Sequence, residues 1–316
     1  MNNNRIIALF GGSGFIGINL IRELTKLDYR IKIPSRRPFL HGRLKPLGDP
    51  GQIELFKINI FNSEDVRQVL KNCHAVINLV GILHETRKQK FNHVHSEFPY
   101  LLSNLCNEMG IKKLIHVSAL GIREGHSSKY IQSKLQGEKN IQKNFKSSVI
   151  LRPSILFGQS DQFFCRFASI AQFSPFLPLI GGGKTKFAPI YVADIAKGIV
   201  RALELNNLEP KIFELGGPKN YTFKELMEIL LTEIKKKRFL IPIPFSFAKF
   251  LSHCCLQALP GPLKITPDQI EILKKNDNVV SGDYPTLKDL GITGTPIQSI
   301  LPKVLQRFRT GGEFNK

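Results

Sequence analysis

A chain of 316 residues with 42% hydrophobic side chains can bury a sizeable core, which argues against a disordered protein. Lys and Arg number 45 against 25 Asp and Glu, a formal charge of +20 that favours anionic partners. The basic residues are dispersed apart from Lys235–Arg238, and no nucleic-acid module is present, so nucleic acid is not expected as a partner.

Ile6–Phe10 is a short apolar run and reads as a buried parallel strand, followed by glycines and a helix over Phe15–Leu27. Strands are expected at Arg30–Ile33, Ile53–Ile60, Ala75–Val80, Lys113–Ser118 and Ser148–Leu151. Between them lie helices at Ser63–Val69, with Ser63 as N-cap, at Pro99–Met109 and at Lys129–Lys143. Strands alternating with helices mean an α/β fold: a Rossmann-type, doubly wound parallel sheet covered on both faces. Beyond Arg152-Pro153 the regularity drops. Phe163–Pro178 is aromatic-rich, Gly181–Gly183 is a loop, and short strands at Ala188–Val192 and Ile212–Leu215 flank a helix at Ala193–Leu203. This alternation suggests a return to the main sheet. The expected division is 1–162 plus 184–217 as a dinucleotide-binding domain, with 163–183 plus 218–316 as a smaller lobe. Thr222–Lys235 reads as an amphipathic helix with a Thr cap. Phe245–Leu259 has one charge, Lys249, among Phe245, Phe247, Phe250, Leu251, Leu256 and Leu259, and reads as a buried helix or a docking face for a bilayer or partner.

Gly11-Gly12-Ser13-Gly14-Phe15-Ile16-Gly17 sits at the first strand-to-helix turn. The loop must turn sharply and let its backbone approach a pyrophosphate, which a Cβ would obstruct. Free N–H groups and the positive helix end then bind phosphate. At the end of the second strand, where NAD sites usually carry an acid, stand Arg36 and Arg37. Two guanidiniums suit a 2′-phosphate, so NADPH is expected rather than NADH. Asn59 at the end of the third strand is a candidate adenine contact through its side-chain carbonyl.

Tyr130 and Lys134 lie four apart, on one helical face, and Ser118 ends the preceding strand. A tyrosine beside a lysine can have its pKa lowered and act as general acid or base. The eight histidines are scattered and read as surface or satisfied-core residues, and the five cysteines, without C-x-x-C, as reduced thiols. No apolar stretch is long enough to cross a bilayer, and the polar Met1–Asn4 offers no signal peptide.

The glycine loop, the Tyr130-Ile131-Gln132-Ser133-Lys134 segment and the Arg-rich second strand resemble the atypical, extended short-chain dehydrogenases/reductases. Further motifs sharpen the likeness: Asn78-Leu79-Val80-Gly81, His116–Gly121, Leu151–Gly158, Pro189–Val200 and Leu287-Lys288-Asp289-Leu290-Gly291-Ile292. Together they resemble the alpha-subcomplex subunit nine family of respiratory complex I and its bacterial relatives, over nearly the whole chain. The resemblance implies cofactor contacts from Gly11, Ser13, Gly14, Phe15, Ile16, Gly17, Arg36, Arg37, Asn59, Ile60, Leu79, Val80, Gly81, Tyr130, Lys134 and Pro153. It also implies that NADPH is structural, that complex I subunits are the partners, and that the chain lies peripherally at a membrane face. The expected place is a bacterial cytoplasm at the inner face of the membrane, or the matrix side in an organelle. The rival expectation is a reductase or epimerase acting on a quinone precursor or nucleotide sugar through Ser118, Tyr130 and Lys134.

Overall fold

Five-residue apolar strands buried on both faces force helices onto each side of the sheet, and that is the architecture observed. The computed structural model describes residues 5–206, 209, 211–254, 266–275 and 277–311. In chain order, β1 (Ile6–Phe10), α1 (Phe15–Thr25), β2 (Arg30–Ser35), β3 (Ile53–Lys57), α2 (Ser63–Leu70) and β4 (Ala75–Asn78) come first. They are followed by α3 (Phe98–Glu108), β5 (Lys113–Val117), α4 (Lys129–Asn144) and β6 (Ser148–Pro153). Next come β7 (Leu156–Phe157), α5 (Phe164–Phe173), β8 (Phe176–Ile180), β9 (Lys186–Phe187), β10 (Ile190–Tyr191) and α6 (Val192–Glu204). The chain ends with β11 (Lys211–Leu215), β12 (Tyr221–Thr222), α7 (Phe223–Glu233), β13 (Phe239–Ile243), α8 (Phe245–Cys254), α9 (Pro267–Lys275) and α10 (Ile297–Leu305).

Seven strands form one parallel sheet in the order β11-β6-β5-β4-β1-β2-β3. The chain winds outward from β1 to β3, then crosses back to β4. A crevice therefore opens between the carboxyl ends of β1 and β4, the place where such sheets hold ligands. Alternation along β1 feeds two cores. Ile7 and Leu9 pack under α1 and α6 with Leu20, Ile21, Leu24, Ile195 and Ile199. Ala8 and Phe10 pack on the opposite face, with Val66 and Val69 of α2 and Phe98 and Leu102 of α3.

A second body of apolar side chains joins α5, β8, α7 and α10 through Phe164, Leu177, Leu226, Met227, Leu230 and Leu301. The carboxyl-terminal stretch does not stay with it throughout: Leu287, Leu290 and Ile292 pack into the core under α1 and α6. A small satellite core of Ile180, Ala248 and Ile270 carries α8 and α9.

Several local expectations change. The N-cap of α2 is Asn62, not Ser63: its Oδ1 accepts from the backbone N–H groups of Glu64 and Asp65. Ala188–Val192 contributes only the two-residue β10, which pairs with β7 outside the main sheet. Thr222 does cap α7, in a reciprocal capping box with Glu225. Phe239–Ile243, with Pro242 inside it, is a strand paired in parallel with β8. A proline is tolerated there because this is an edge of a two-stranded ribbon. The helix expected over Phe245–Leu259 is described as far as Cys254, and Leu256 and Leu259 lie outside the described residues. Its Phe247 and Phe250 are exposed, so it is not a buried core helix in this chain. No helix among the described residues is long and apolar enough to cross a membrane.

Candidate functional site

The turn after β1 is built by close approach. Gly11 has φ of 81°, and a Cβ there would lie 3.0 Å from the Leu79 backbone carbon. A Cβ on Gly17 would lie 2.3 Å from the Gly12 carbonyl oxygen, so only glycine lets the first turn of α1 sit against the loop. Gly14 is the N-cap of α1, no side chain caps that end, and its first turn holds no acid. Gly14 is exposed, while Gly11, Ser13, Phe15 and Ile16 are half-buried, so the cradle faces solvent. Bare N–H groups at the positive end of a helix form an anion site.

Arg36 and Arg37 follow β2 directly and are both exposed, on the same carboxyl edge as the glycine loop. No acid stands there. Asp28 lies in the turn before β2, at the opposite end of the strand. Asn59 is exposed, but its Oδ1 already accepts from the Phe61 N–H at 3.1 Å, and its own N–H donates to Asp65 at 2.7 Å. One lone pair of the Asn59 amide therefore remains for a ligand. Ile60 packs partly against the core beside α2. Beyond β4, Asn78 is fully buried and shapes the next loop: its Oδ1 accepts from Val80 N–H at 3.0 Å, and its Nδ2 donates to His116 Nδ1 at 3.1 Å. Leu79 and Val80 are half-buried and Gly81 is exposed. A Cβ on Gly81 would lie 3.5 Å from Lys134 Nζ and 3.7 Å from His95 Nε2.

Lys134 is buried and donates to the Val117 carbonyl at 3.2 Å, which places it beside Ser118. Ser118 is buried, and among the described residues its Oγ has no hydrogen-bond partner. An orphaned hydroxyl beside an open crevice points to a ligand or water that completes it. Burial lowers the Lys134 ammonium to about 8, against a smaller opposing pull from Glu138. The expectation that Lys134 would lower Tyr130 fails: burial first, then the Asp268 carboxylate, push the phenol up to about 12. Tyr130 is therefore a neutral hydroxyl here, suited to donating a hydrogen bond rather than to acting as a standing phenolate. Pro153 ends β6, and its carbonyl accepts from Leu120 N–H at 2.9 Å, which holds the loop after Ser118.

Four residues passed over in the sequence shape this site. Phe91 and His95 fix the Tyr130 ring, with centroids at 5.7 and 5.3 Å, both edge-on. His95 is nearly inaccessible, and burial and the Lys134 charge drive its pKa down to about 2, so the imidazole is neutral. Ser133 hydrogen-bonds His95 Nδ1. Asp268, from α9, accepts from Ser128 Oγ at 2.8 Å, Lys129 N–H at 2.8 Å and Tyr130 N–H at 3.2 Å, which closes the amino end of α4. A separate cleft behind α4, lined by Leu135, Gln142, Arg152, Glu214 and Tyr284, contains none of the expected site residues. Its floor is a buried pair in which Arg152 grips Glu138 through two hydrogen bonds, at 3.1 and 2.6 Å.

The model of the NAD dependent epimerase/dehydratase family matches residues 7–216. The chain belongs to that family. Within it, the chain is 31% identical over 309 residues to NADH dehydrogenase [ubiquinone] 1 alpha subcomplex subunit 9, mitochondrial, of Mus musculus, covering 96% of this chain and 81% of that one. The same subunit of Arabidopsis thaliana is 31% identical over 317 residues, covering 97% and 79%. Both relatives place this chain in the subunit 9 group. A solved UDP-glucuronic acid 4-epimerase from Bacillus cereus, in complex with UDP-glucuronic acid and NAD, shares the fold with a TM-score of 0.65 at 21% identity, covering 85% and 99%. The glycine loop, the crevice between β1 and β4, and the Tyr130–Lys134 helix are thus set within a family whose name carries NAD dependence.

Proposed function

We propose that this chain holds NADPH in the β1/β4 crevice as a largely structural nucleotide, and serves as an accessory or assembly protein of respiratory complex I. The observation that carries the reading is one chain combining an open glycine loop, rimmed by two guanidiniums, with an apolar face that stays exposed among the described residues. In the cradle, the loop amides and the amino end of α1 would meet the pyrophosphate, and Arg36 and Arg37 a 2′-phosphate. Leu79, Val80 and Gly81 would line the middle, and Tyr130, Lys134 and Pro153 the far end. The uncovered face lies on β8 and β13. Leu177 and Leu179 point into the core, whereas Phe176, Phe239 and Ile241 stay exposed, so both sides of this ribbon are apolar. Phe173, 93% exposed, and Phe247 and Phe250 of α8 extend the apolar surface. Lys235–Arg238 and Lys249 add positive charge beside it. Such a combination suits the hydrophobic flank of a large assembly and an anionic bilayer. On this reading the chain works at the inner face of a bacterial cytoplasmic membrane, or on the matrix side in an organelle. The subunit 9 relatives support the assembly.

Two experiments test this. Isothermal titration of NADPH and NADH against wild type and the Arg36→Ala/Arg37→Ala variant should show a preference for NADPH that the variant loses by about 10- to 100-fold, the scale of one or two charge-assisted contacts. Equal affinities in wild type would refute the NADPH assignment. Affinity-tagged protein should bring down complex I subunits; repeated failure would end the accessory-protein reading.

A second reading is favoured by one observation, the unpartnered Oγ of Ser118 beside Lys134. Here the nucleotide would supply or accept hydride, and Ser118 and Tyr130 would hydrogen-bond a carbonyl oxygen of the substrate while Lys134 held the neighbouring charge. A Tyr130→Phe variant with full biological activity would eliminate this reading.

A further inference from the structure

The amino end of α3 begins with a single wide turn, a π-helical segment over His93–Glu97, and such turns recur at functional sites. Within it His95 is buried, 1% exposed. Its Nε2 lies 3.0 Å from the Ile82 N–H and so accepts from it. The ring proton is therefore on Nδ1, which donates to Ser133 Oγ at 3.1 Å, and that hydroxyl donates onward to the Tyr130 carbonyl at 2.8 Å. The chain of donors allows one consistent arrangement, with a neutral imidazole of fixed tautomer. A second ring proton would point at the Ile82 N–H, donor against donor. Phe91 stacks on the ring at 5.5 Å, while the Tyr130 ring meets it edge-on at 5.3 Å. Lys134 Nζ and His95 Nε2 both border the space that a Gly81 side chain would fill, at 3.5 and 3.7 Å from its Cβ position.

We infer that His95 is a positioning residue: it ties the loop after β4, at Gly81-Ile82, to the helix bearing Tyr130 and Lys134, and so fixes the far end of the crevice, where the nicotinamide half of a nucleotide would lie. The inference rests on the NADPH reading above. It assigns His95 no contact with the phosphates or the adenosine half, which belong to the glycine loop and β2. The two halves of the ligand should therefore respond differently when His95 is changed.

The test uses the full chain and two probes: NADPH, and 2′,5′-ADP, which carries only the adenosine half. Calorimetric titration of His95→Ala should weaken NADPH about tenfold, the scale of one lost intramolecular hydrogen bond, and leave 2′,5′-ADP within about twofold. The fluorescence enhancement of bound NADPH should fall in parallel. His95→Gln, whose amide can accept from Ile82 N–H, should restore most of both signals, and it serves as the informative variant if the alanine form does not fold. Ser133→Ala, which cuts the other half of the tie, should show the same split to a smaller degree. Equal loss for both probes in His95→Ala would mean a general structural role and overturn the inference, as would unchanged NADPH affinity and fluorescence. A wild-type chain that binds 2′,5′-ADP but not NADPH would also overturn it. Binding of neither probe by wild type would remove the nucleotide reading itself, and this inference with it.

Discussion

Replacing Gly17 by alanine adds one methyl group at the tightest point of the glycine loop, the proposed phosphate cradle. The new Cβ would lie 2.3 Å from the Gly12 oxygen and 2.5 Å from its carbonyl carbon and Cα. All three are backbone atoms, so no side-chain rotation relieves the overlap. The first turn of α1 and the loop must separate by about 1 Å to reach ordinary contact, and a packed interior resists that. Overpacking of this kind costs about 1–3 kcal/mol and should lower the melting temperature by a few degrees in a chain of this size. The effect on ligand should be larger than the effect on stability. Each backbone N–H aimed at a phosphate contributes about 1.5–3 kcal/mol, so misaligning one donor should weaken NADPH about 10- to 150-fold. Gly42→Ala is the control: no atom lies within 4 Å of its Cβ position, and it should change both quantities by less than about 0.5 kcal/mol. Calorimetric titration and thermal unfolding of the two variants, side by side, provide the readout. Wild-type NADPH affinity in Gly17→Ala would refute the claim that this glycine is imposed by the cradle.

Four groups on or against α4 give further outcomes. Glu138→Gln leaves Arg152, among the described residues, with Glu214 at 3.9 Å as its carboxylate partner, and should cost about 3 kcal/mol in urea unfolding, the low end for breaking a buried pair. The double change Arg152→Met/Glu138→Leu should recover most of it, and a single-variant cost under about 1 kcal/mol would contradict the pair's assigned role. Between pH 8 and 10.5, unfolded chains keep a proton on Lys134 that folded ones release, so stability should rise with pH there, and below pH 8 the penalty of the buried charge is present in full. From pH 10 to 12 the folded chain keeps the Tyr130 proton that the unfolded chain loses, and stability should fall. Unfolding midpoints across pH should lose the rise in Lys134→Met and the fall in Tyr130→Phe; unchanged profiles would place both groups in solvent. Asp268→Ala strips the acceptor from three donors at the amino end of α4 and should cost about 1–3 kcal/mol. The same change should lower the Tyr130 titration midpoint, read by phenolate absorbance.

How far the sequence reaches depends on the range of the interaction that decides each feature. The glycine turn was legible because its cause is local: a strand, a turn with glycine at Gly11, Gly12 and Gly14, and a helix start lie within twelve residues, Ile6–Gly17. The parallel sheet was legible from unbroken apolar runs, and the Thr222 cap from a Thr three residues before a Glu. Asn62 and Ser63 are both capping types, and only the backbone angles at Asn62, φ −99° and ψ 116°, decide between them. The strand at Phe239–Ile243 exists because β8 offers a partner more than fifty residues earlier, a pairing that no local propensity encodes. His95 read as one histidine among eight, because its significance comes from Ile82 and Ser133 closing on it from two other elements. Asp268 reaches α4 across 138 to 140 residues, and it reverses the expected direction of the Tyr130 shift together with burial, which sequence spacing cannot report. Hydrophobicity of Phe247 and Phe250 was plain in the sequence, but whether apolar surface is covered is a property of tertiary packing, and among the described residues both rings stay exposed.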